Sequence, residues 1–303
     1  MGLRRNLRVA RRIGLGVLAL PFLATGLVAQ MAVVGPLFPK SLHLQRFSYS
    51  VIRSILGIKI EFNSASAPIE KNRPTWFVGN HQSQADIITL GSTLHAAFAG
   101  KGTFMQNKWI SPIGRSVHYI GLRRVPKDHE DYNKFQDQAR GKVSNNFNAG
   151  RNLITFQEGT TTDGSEVKLF RAGLLKTLFT RGGADKEGNP IKLEGDVVVQ
   201  PVGIKVKSVE GLSTEEREDL RHYYSHYTSK ETLKRIISRL ATKEIVLELK
   251  AFEPLNPADF ADEKELANKA CDLIRGFVSP HQKDVTPAEI PNIDSPVIVP
   301  PKM

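Results

Sequence analysis

Cysteine is almost absent: Cys271 stands alone in 303 residues. No disulfide can form within the chain, which excludes a disulfide-stapled scaffold and a Cys-rich zinc module. A chain of this length builds a core large enough to do without such staples. No acidic residue precedes Glu61. A Gly-x-Ser-x-Gly elbow is missing, which argues against an ordinary serine esterase. A phosphate-binding loop with its Lys-Ser/Thr pair is missing too. Aromatics make up 8% of the residues and are not interleaved with the basic runs. With no RNA- or DNA-binding motif, a nucleic-acid-binding protein is the weaker reading of the basic charge. The mean hydropathy of −0.26 excludes a polytopic membrane protein but leaves room for one apolar segment. No internal repeat is visible.

What is present is basic. Lys and Arg number 42 against 31 Asp and Glu, a formal charge of +11. Such a surplus favours anionic partners. Arg4, Arg5, Arg8, Arg11 and Arg12 precede a stretch, Ile13 to Pro39, without a charged side chain. As a helix it would be about 40 Å long, against a hydrocarbon core of about 30 Å. Three readings compete: a secretory signal, a single span with a cytoplasmic N-terminus, or a bent monotopic anchor. The run is long for a signal and has no clean Ala-x-Ala site. Pro21, Gly26, Gly35 and Pro36 are expected to interrupt it. Arg46 and Arg53, in the amphipathic stretch Leu42–Ile60, would suit a helix lying on anionic lipid.

Beyond residue 60 the pattern alternates. Strands are expected at Thr75–Val78, Ser116–Leu122, Asn152–Phe156, Asp196–Val206 and Glu244–Lys250. Helices are expected at Ile87–Phe98, Asp128–Phe147, Ala172–Phe179, Thr214–Leu240 (broken near Thr228) and Ala261–Phe277. Asn63–Pro74 and Arg181–Pro190 read as loops. This is an α/β pattern, a mixed sheet flanked by helices, behind an N-terminal apolar membrane-anchoring helical segment. Three parts are expected: an anchor and amphipathic stretch over 1–60, an α/β domain over 61–283, and a Pro-rich extended tail over 284–303.

Four blocks could carry chemistry. In Asn80-His81-Gln82-Ser83-Gln84-Ala85-Asp86, five residues on one straight helix would turn His81 about 140° from Asp86. Here a strand ends at Asn80, and Ser83-x-x-Asp86 reads as a capping box opening the next helix. The Asp86 carboxylate could then reach back to the imidazole, fix its tautomer and stabilise its charged form. The plainer alternative is a capping Asp and a surface His. The second block, Phe156-Gln157-Glu158-Gly159-Thr160-Thr161-Thr162, exposes amides and hydroxyls at a strand end and suits a phosphate or polar headgroup, or is an ordinary Thr-rich turn. The third is the basic pair Arg123-Arg124. The fourth is Leu169-Phe170-Arg171-Ala172-Gly173. Arg is the natural phosphate clamp, although a surface Arg is more often simply solvated.

In this order the blocks resemble the glycerolipid acyltransferase family, which includes the bacterial 1-acyl-glycerol-3-phosphate acyltransferases. The matching residues are Asn80-His81 to Asp86, then Arg124, then Phe156-Gln157-Glu158-Gly159-Thr160, then Val199-Gln200-Pro201-Val202, over roughly 75–205. The resemblance implies transfer of a fatty acyl group from acyl-CoA or acyl-carrier protein to a lysolipid hydroxyl, with lysophosphatidate the first expectation as acceptor. It implies His81 as general base and Asp86 as its orienting partner. Glu158, Gly159, Thr160, Arg124, Arg123 and Arg171 would bind the acceptor. The acyl thioester is a co-substrate, and neither metal nor cofactor is implied. Expected partners are membrane lipids and the acyl donor, with no nucleic acid. Since both donors are cytosolic, the catalytic domain would face the cytoplasm at the inner membrane. The chain departs from the family pattern at Gln157 (usually Pro), Thr161 (usually Arg), Arg123 (often Asp) and His118 (often Gly). Some members that use other acceptors carry Thr at the position of Thr161. A lyso-ornithine lipid or a lysophospholipid is therefore the alternative acceptor. A family-like scaffold that has lost activity is a further reading.

Overall fold

A computed structural model describes residues 3–280 apart from 39, 109, 110, 124, 127 and 226–231. The expected tail, the expected break near Thr228 and Arg124 lie outside the described residues. The elements run α1 (Leu3–Ala29), a π-helical turn at Gln30–Val34, α2 (Gly35–Leu37), α3 (His43–Leu56), β1 (Ile58–Phe62), β2 (Thr75–Gly79), α4 (Ala85–Thr93), β3 (Ala96–Lys101) and α5 (Ser111–Ser116). Then follow β4 (Ile120–Leu122), α6 (Tyr132–Asn148), β5 (Asn152–Phe156), α7 (Lys176–Thr180), β6 (Gly182–Ala184), β7 (Pro190–Lys192), β8 (Val198–Val209), β9 (Leu212–Ser213), α8 (Thr232–Ala241), β10 (Ile245–Ala251) and α9 (Glu263–Val278).

The main sheet has the order β1-β10-β8-β2-β5-β3-β4, with β9 paired to β8. β8, β2, β5, β3 and β4 are parallel, while β10 runs against β8. Helices cover both faces, so the sheet is mixed and flanked as the pattern implies. Alternation along the strands builds two cores. Trp76, Val78, Leu153, Val199 and residues of α6 and α9 pack on one face. Phe77, Phe98, Ile154, Val202 and residues of α4 pack on the other.

Several local expectations are corrected. The helix expected over Ile87–Phe98 stops at Thr93, and Ala96–Lys101 is strand β3, which the small residues Ala96, Ala97 and Ala99 had disguised. β1 begins inside the stretch expected to be amphipathic. The charged loop Arg181–Pro190 holds the β6–β7 hairpin. The first part of Thr214–Leu240 is not α-helix: a 3-10 turn at Glu218–Tyr223 precedes α8.

The apolar segment also differs from expectation. Helix continues through Pro21 and Gly26, and opens only at the π-turn. Leu3–Val34 is long and apolar enough to cross a membrane, and only 6% of its most apolar window is buried. Leu18, Leu20 and Phe22 are among its exposed side chains. Arg12 is the buried residue of α1: its guanidinium donates to the carbonyls of Arg239, Leu240, Thr242 and Lys243, at the end of α8. Arg8 adds bonds to Ala241 O and Glu210. Gly57 turns α3 into β1 at φ +69°, and any Cβ there would overlap the Arg12 guanidinium. α3 lies between α1 and α4. Arg46 and Arg53 donate to the carbonyls of Thr93 and Ile58.

Candidate active site

β2 and β5 are parallel neighbours with Gly79 opposite Phe156, so the two motif loops leave adjacent strand ends at the same level. The crevice beyond carboxyl strand ends is where open α/β sheets place ligands. His81 sits in the turn after β2, and Asp86 in the first turn of α4. His81 Nδ1 lies 2.9 Å from Asp86 Oδ2. The same oxygen accepts the N–H groups of Gln82 at 2.7 Å and Ser83 at 2.8 Å. The capping box is half formed: Asp86 reaches back to Ser83 N–H, but Ser83 Oγ takes Ala85 N–H. Asp86 is fully buried, while the His81 side chain is 16% exposed. An ionised carboxylate only accepts, so the hydrogen sits on Nδ1 and the lone pair on Nε2. The imidazole stacks on Phe156, with centroids 4.1 Å apart and planes 9° from parallel.

The second loop supports the first. Glu158 Oε1 accepts His81 N–H at 2.6 Å, and Oε2 accepts Lys168 N–H at 3.0 Å. Burial pushes the Glu158 carboxyl up to about 7, outweighing the two amide bonds that favour its charged form. Gly159 has φ +70°, and a Cβ there would come within 2.8 Å of Arg171 Nε. That glycine lets the exposed Arg171 lie against the Glu158–Thr160 turn. Thr160 is exposed, whereas Thr162 is buried with its N–H on His81 O at 2.8 Å. Gln157, where the family pattern has Pro, donates its N–H to Gly79 O, a bond Pro cannot make. His118 has φ +54°, the left-handed region in which the more usual Gly carries no strain.

Not every expected site residue converges. Arg123 is exposed, its guanidinium 3.9 Å above the Phe135 ring. It follows β4, on the same sheet edge as His81 but three strands away, roughly 14 Å sideways. Arg124 lies outside the described residues. A cavity of about 290 Å³, lined in part by Leu178, Phe179 and Arg181, opens near the start of β8, at the opposite sheet edge from His81. Among the described residues, no three His, Cys, Asp or Glu side chains gather to hold a metal ion. Cys271 is fully buried, and burial pushes its thiol up to about 11.

Two residues at the site carry no sequence signal. Tyr224 donates its hydroxyl to Asp86 Oδ1 at 2.6 Å. Arg239 donates to Tyr224 O and, at 3.2 Å, to Ser83 Oγ. They come from a segment without a motif, far along the chain, so only the fold brings them in.

A family model described as Acyltransferase matches residues 62–205. The chain is 25% identical over 274 residues to a lyso-ornithine lipid O-acyltransferase of Pseudomonas aeruginosa, covering 90% of this chain and 93% of that one. It is 26% identical over 210 residues to a protein of the same name from Rhodobacter capsulatus, covering 67% and 66%. Among solved structures, the 1-acyl-sn-glycerophosphate (LPA) acyltransferase PlsC of Thermotoga maritima superposes with a TM-score of 0.50 at 20% identity, over 92% of this chain and 99% of that one. That likeness speaks for the fold. The α/β domain described above is similar to the acyltransferase family, and together with the curated relatives this likeness supports an enzyme that acylates lysolipids.

Proposed function

We propose that the chain transfers a fatty acyl group from acyl-CoA or acyl-carrier protein to the free hydroxyl of a lyso-ornithine lipid. The observation that carries the chemistry is the His81–Asp86 pair, with Nδ1 held by a buried carboxylate and Nε2 left as the base. The acceptor hydroxyl attacks the thioester carbonyl while Nε2 takes its proton. The C–S bond then breaks, and the thiol leaves with that proton, giving an ester and a free thiol. A thioester is already activated, so a positioned base suffices without an acyl-enzyme. Asp86 orients the ring and stabilises its charged form. Thr161, where lysophosphatidate enzymes usually have Arg, and the names of the relatives from Pseudomonas aeruginosa and Rhodobacter capsulatus support this acceptor. Lysophosphatidate is the second reading, supported by Arg171 beside Gly159 as a cation for phosphate.

The anchor would bring this site to the inner membrane, with the domain on the cytoplasmic side where the donors are. Arg8 and Arg12 fasten the start of α1 to the α/β domain, and α3 packs its later part on the same domain. A helix held at both ends by one domain lies along the bilayer surface more readily than across it.

The test is acyl transfer by membranes containing the protein, with labelled acyl-CoA and acyl-carrier protein as donors. Lyso-ornithine lipid, lysophosphatidate and lysophosphatidylcholine are offered in parallel. Product from lyso-ornithine lipid that disappears with His81→Ala supports the reading. Product from lysophosphatidate alone moves the acceptor to the second reading, and wild-type rates in His81→Ala overturn the mechanism.

A further inference from the structure

Asp86 has two carboxylate oxygens, and the motif accounts for one. Oδ2 serves His81 and the amides of the turn, while Oδ1 takes the Tyr224 hydroxyl at 2.6 Å. Tyr224 is wholly buried and lies beyond the stretch matched by the family model. Burial and then the nearby Asp86 charge push its phenol well above the usual value, so it stays protonated and donates. Thr89 Oγ1 sits 3.3 Å from the phenol oxygen. Behind the ring, Arg239 from α8 holds Tyr224 O and Ser83 Oγ, with its guanidinium 5.4 Å from the ring centre. Phenol, carboxylate and imidazole thus form one hydrogen-bonded line.

The last torsion of an aspartate is soft, so a carboxylate gripped at one oxygen can still swing. A short O–H to carboxylate bond at the other oxygen removes that freedom. We propose that Tyr224 is a positioning residue for acyl transfer: its hydroxyl fixes Asp86 Oδ1, so that Oδ2 stays aimed at His81 Nδ1 and Nε2 at the acceptor hydroxyl. This rests on the assignment of His81 as base. Tyr224 touches no reacting atom, so its effect falls on turnover and not on substrate binding.

The experiment compares the full-length wild type with Tyr224→Phe, Thr89→Val and His81→Ala, using labelled acyl-CoA and whichever lysolipid the wild type acylates. Tyr224→Phe is expected to lower kcat about tenfold or more, with KM for both substrates within about twofold. Thr89→Val removes a neighbouring buried bond but leaves Asp86 its phenol, and is expected to keep the wild-type kcat. A wild-type kcat in Tyr224→Phe, beside an inactive His81→Ala, overturns the positioning role and leaves the base assignment standing. An equal kcat loss in Thr89→Val also overturns it, because any disturbance of that pocket would then suffice. Wild-type turnover by His81→Ala overturns the base assignment and the Tyr224 role together. Should Tyr224→Phe not fold, 3-fluorotyrosine at position 224 keeps the shape and makes the phenol more acidic. A changed kcat at constant KM then supports the proposal, and an unchanged kcat overturns it.

Discussion

Glu158 Oε1 accepts the backbone N–H of His81 at 2.6 Å, so the second motif holds the first by its main chain. Desolvation nonetheless raises this carboxyl to about 7 in the folded protein. A folded-state value above the unfolded one means that the native state binds the proton more tightly. The stabilisation is present in full below the unfolded value near 4.5 and is lost as pH rises through about 7. Across that window Glu158 costs at most about 3 kcal/mol. Chemical denaturation of wild type and Glu158→Gln from pH 4.5 to 8 checks this. The glutamine variant is expected to lose this part of the pH dependence. It should also be less stable at low pH by about 1 kcal/mol, because its NH₂ cannot accept the second amide.

Arg12 is the clasp between the apolar helix and the domain. Its guanidinium serves carbonyls at the end of α8, the helix that carries Arg239. Arg12→Met keeps most of the apolar stem and removes those bonds. A loss of about 3 kcal/mol is expected, since the buried carbonyls lose charged donors. Denaturation in detergent measures it. Arg11→Met is the comparison: Arg11 is exposed, so its removal should shift stability by less than about 0.5 kcal/mol.

The parts of this molecule that a sequence displays are the local ones. His81 and Asp86 are five positions apart at a strand-to-helix junction, where one turn brings them together. The strand Asn152–Phe156 is legible because its β-branched and aromatic residues are bounded by Gly150 and the Gly159 loop. β3 is not, because Ala96, Ala97 and Ala99 favour helix and its first four residues, all buried, supply no polar alternation. The partners from far along the chain are hidden for a different reason. Tyr224 meets Asp86, and Arg12 meets α8, only after the sheet is assembled. The cations Arg123 and Arg171 look equivalent in the sequence, yet the strand order sets Arg123 far to the side and leaves Arg171 against Gly159.

Phe156 is a platform for the His81 ring. Its ring lies 4.1 Å from the imidazole and nearly parallel to it. Phe156→Leu preserves apolar volume but removes the flat face that limits rotation of His81. An aromatic contact of this kind contributes about 1 kcal/mol beyond buried area. A fall in kcat of roughly fivefold is therefore expected, with the melting point moved by only a few degrees. Steady-state kinetics with the preferred lysolipid, alongside thermal denaturation, would show it. A kcat equal to wild type would mean that Asp86 alone holds the ring.

Gly159 decides whether Arg171 can lie against the Glu158–Thr160 turn. Its φ of +70° disfavours any other residue, and a Cβ would meet the Arg171 Nε, Cζ and Cδ atoms at 2.8 to 3.1 Å. Gly159→Ala should therefore strain the turn by about 1 kcal/mol and push the guanidinium outward. If Arg171 pairs with an anionic headgroup, Gly159→Ala and Arg171→Gln should both raise KM for that lysolipid about tenfold, with kcat falling less. The two losses should not add, because both remove the same cation from the same place. Measuring both single variants and the double variant separates this from a general collapse of the turn. In a collapse, Gly159→Ala would lower kcat while Arg171→Gln left KM unchanged. A phosphate-bearing acceptor should be more sensitive to both changes than a zwitterionic one, so the same three proteins also report which headgroup the site was built to hold.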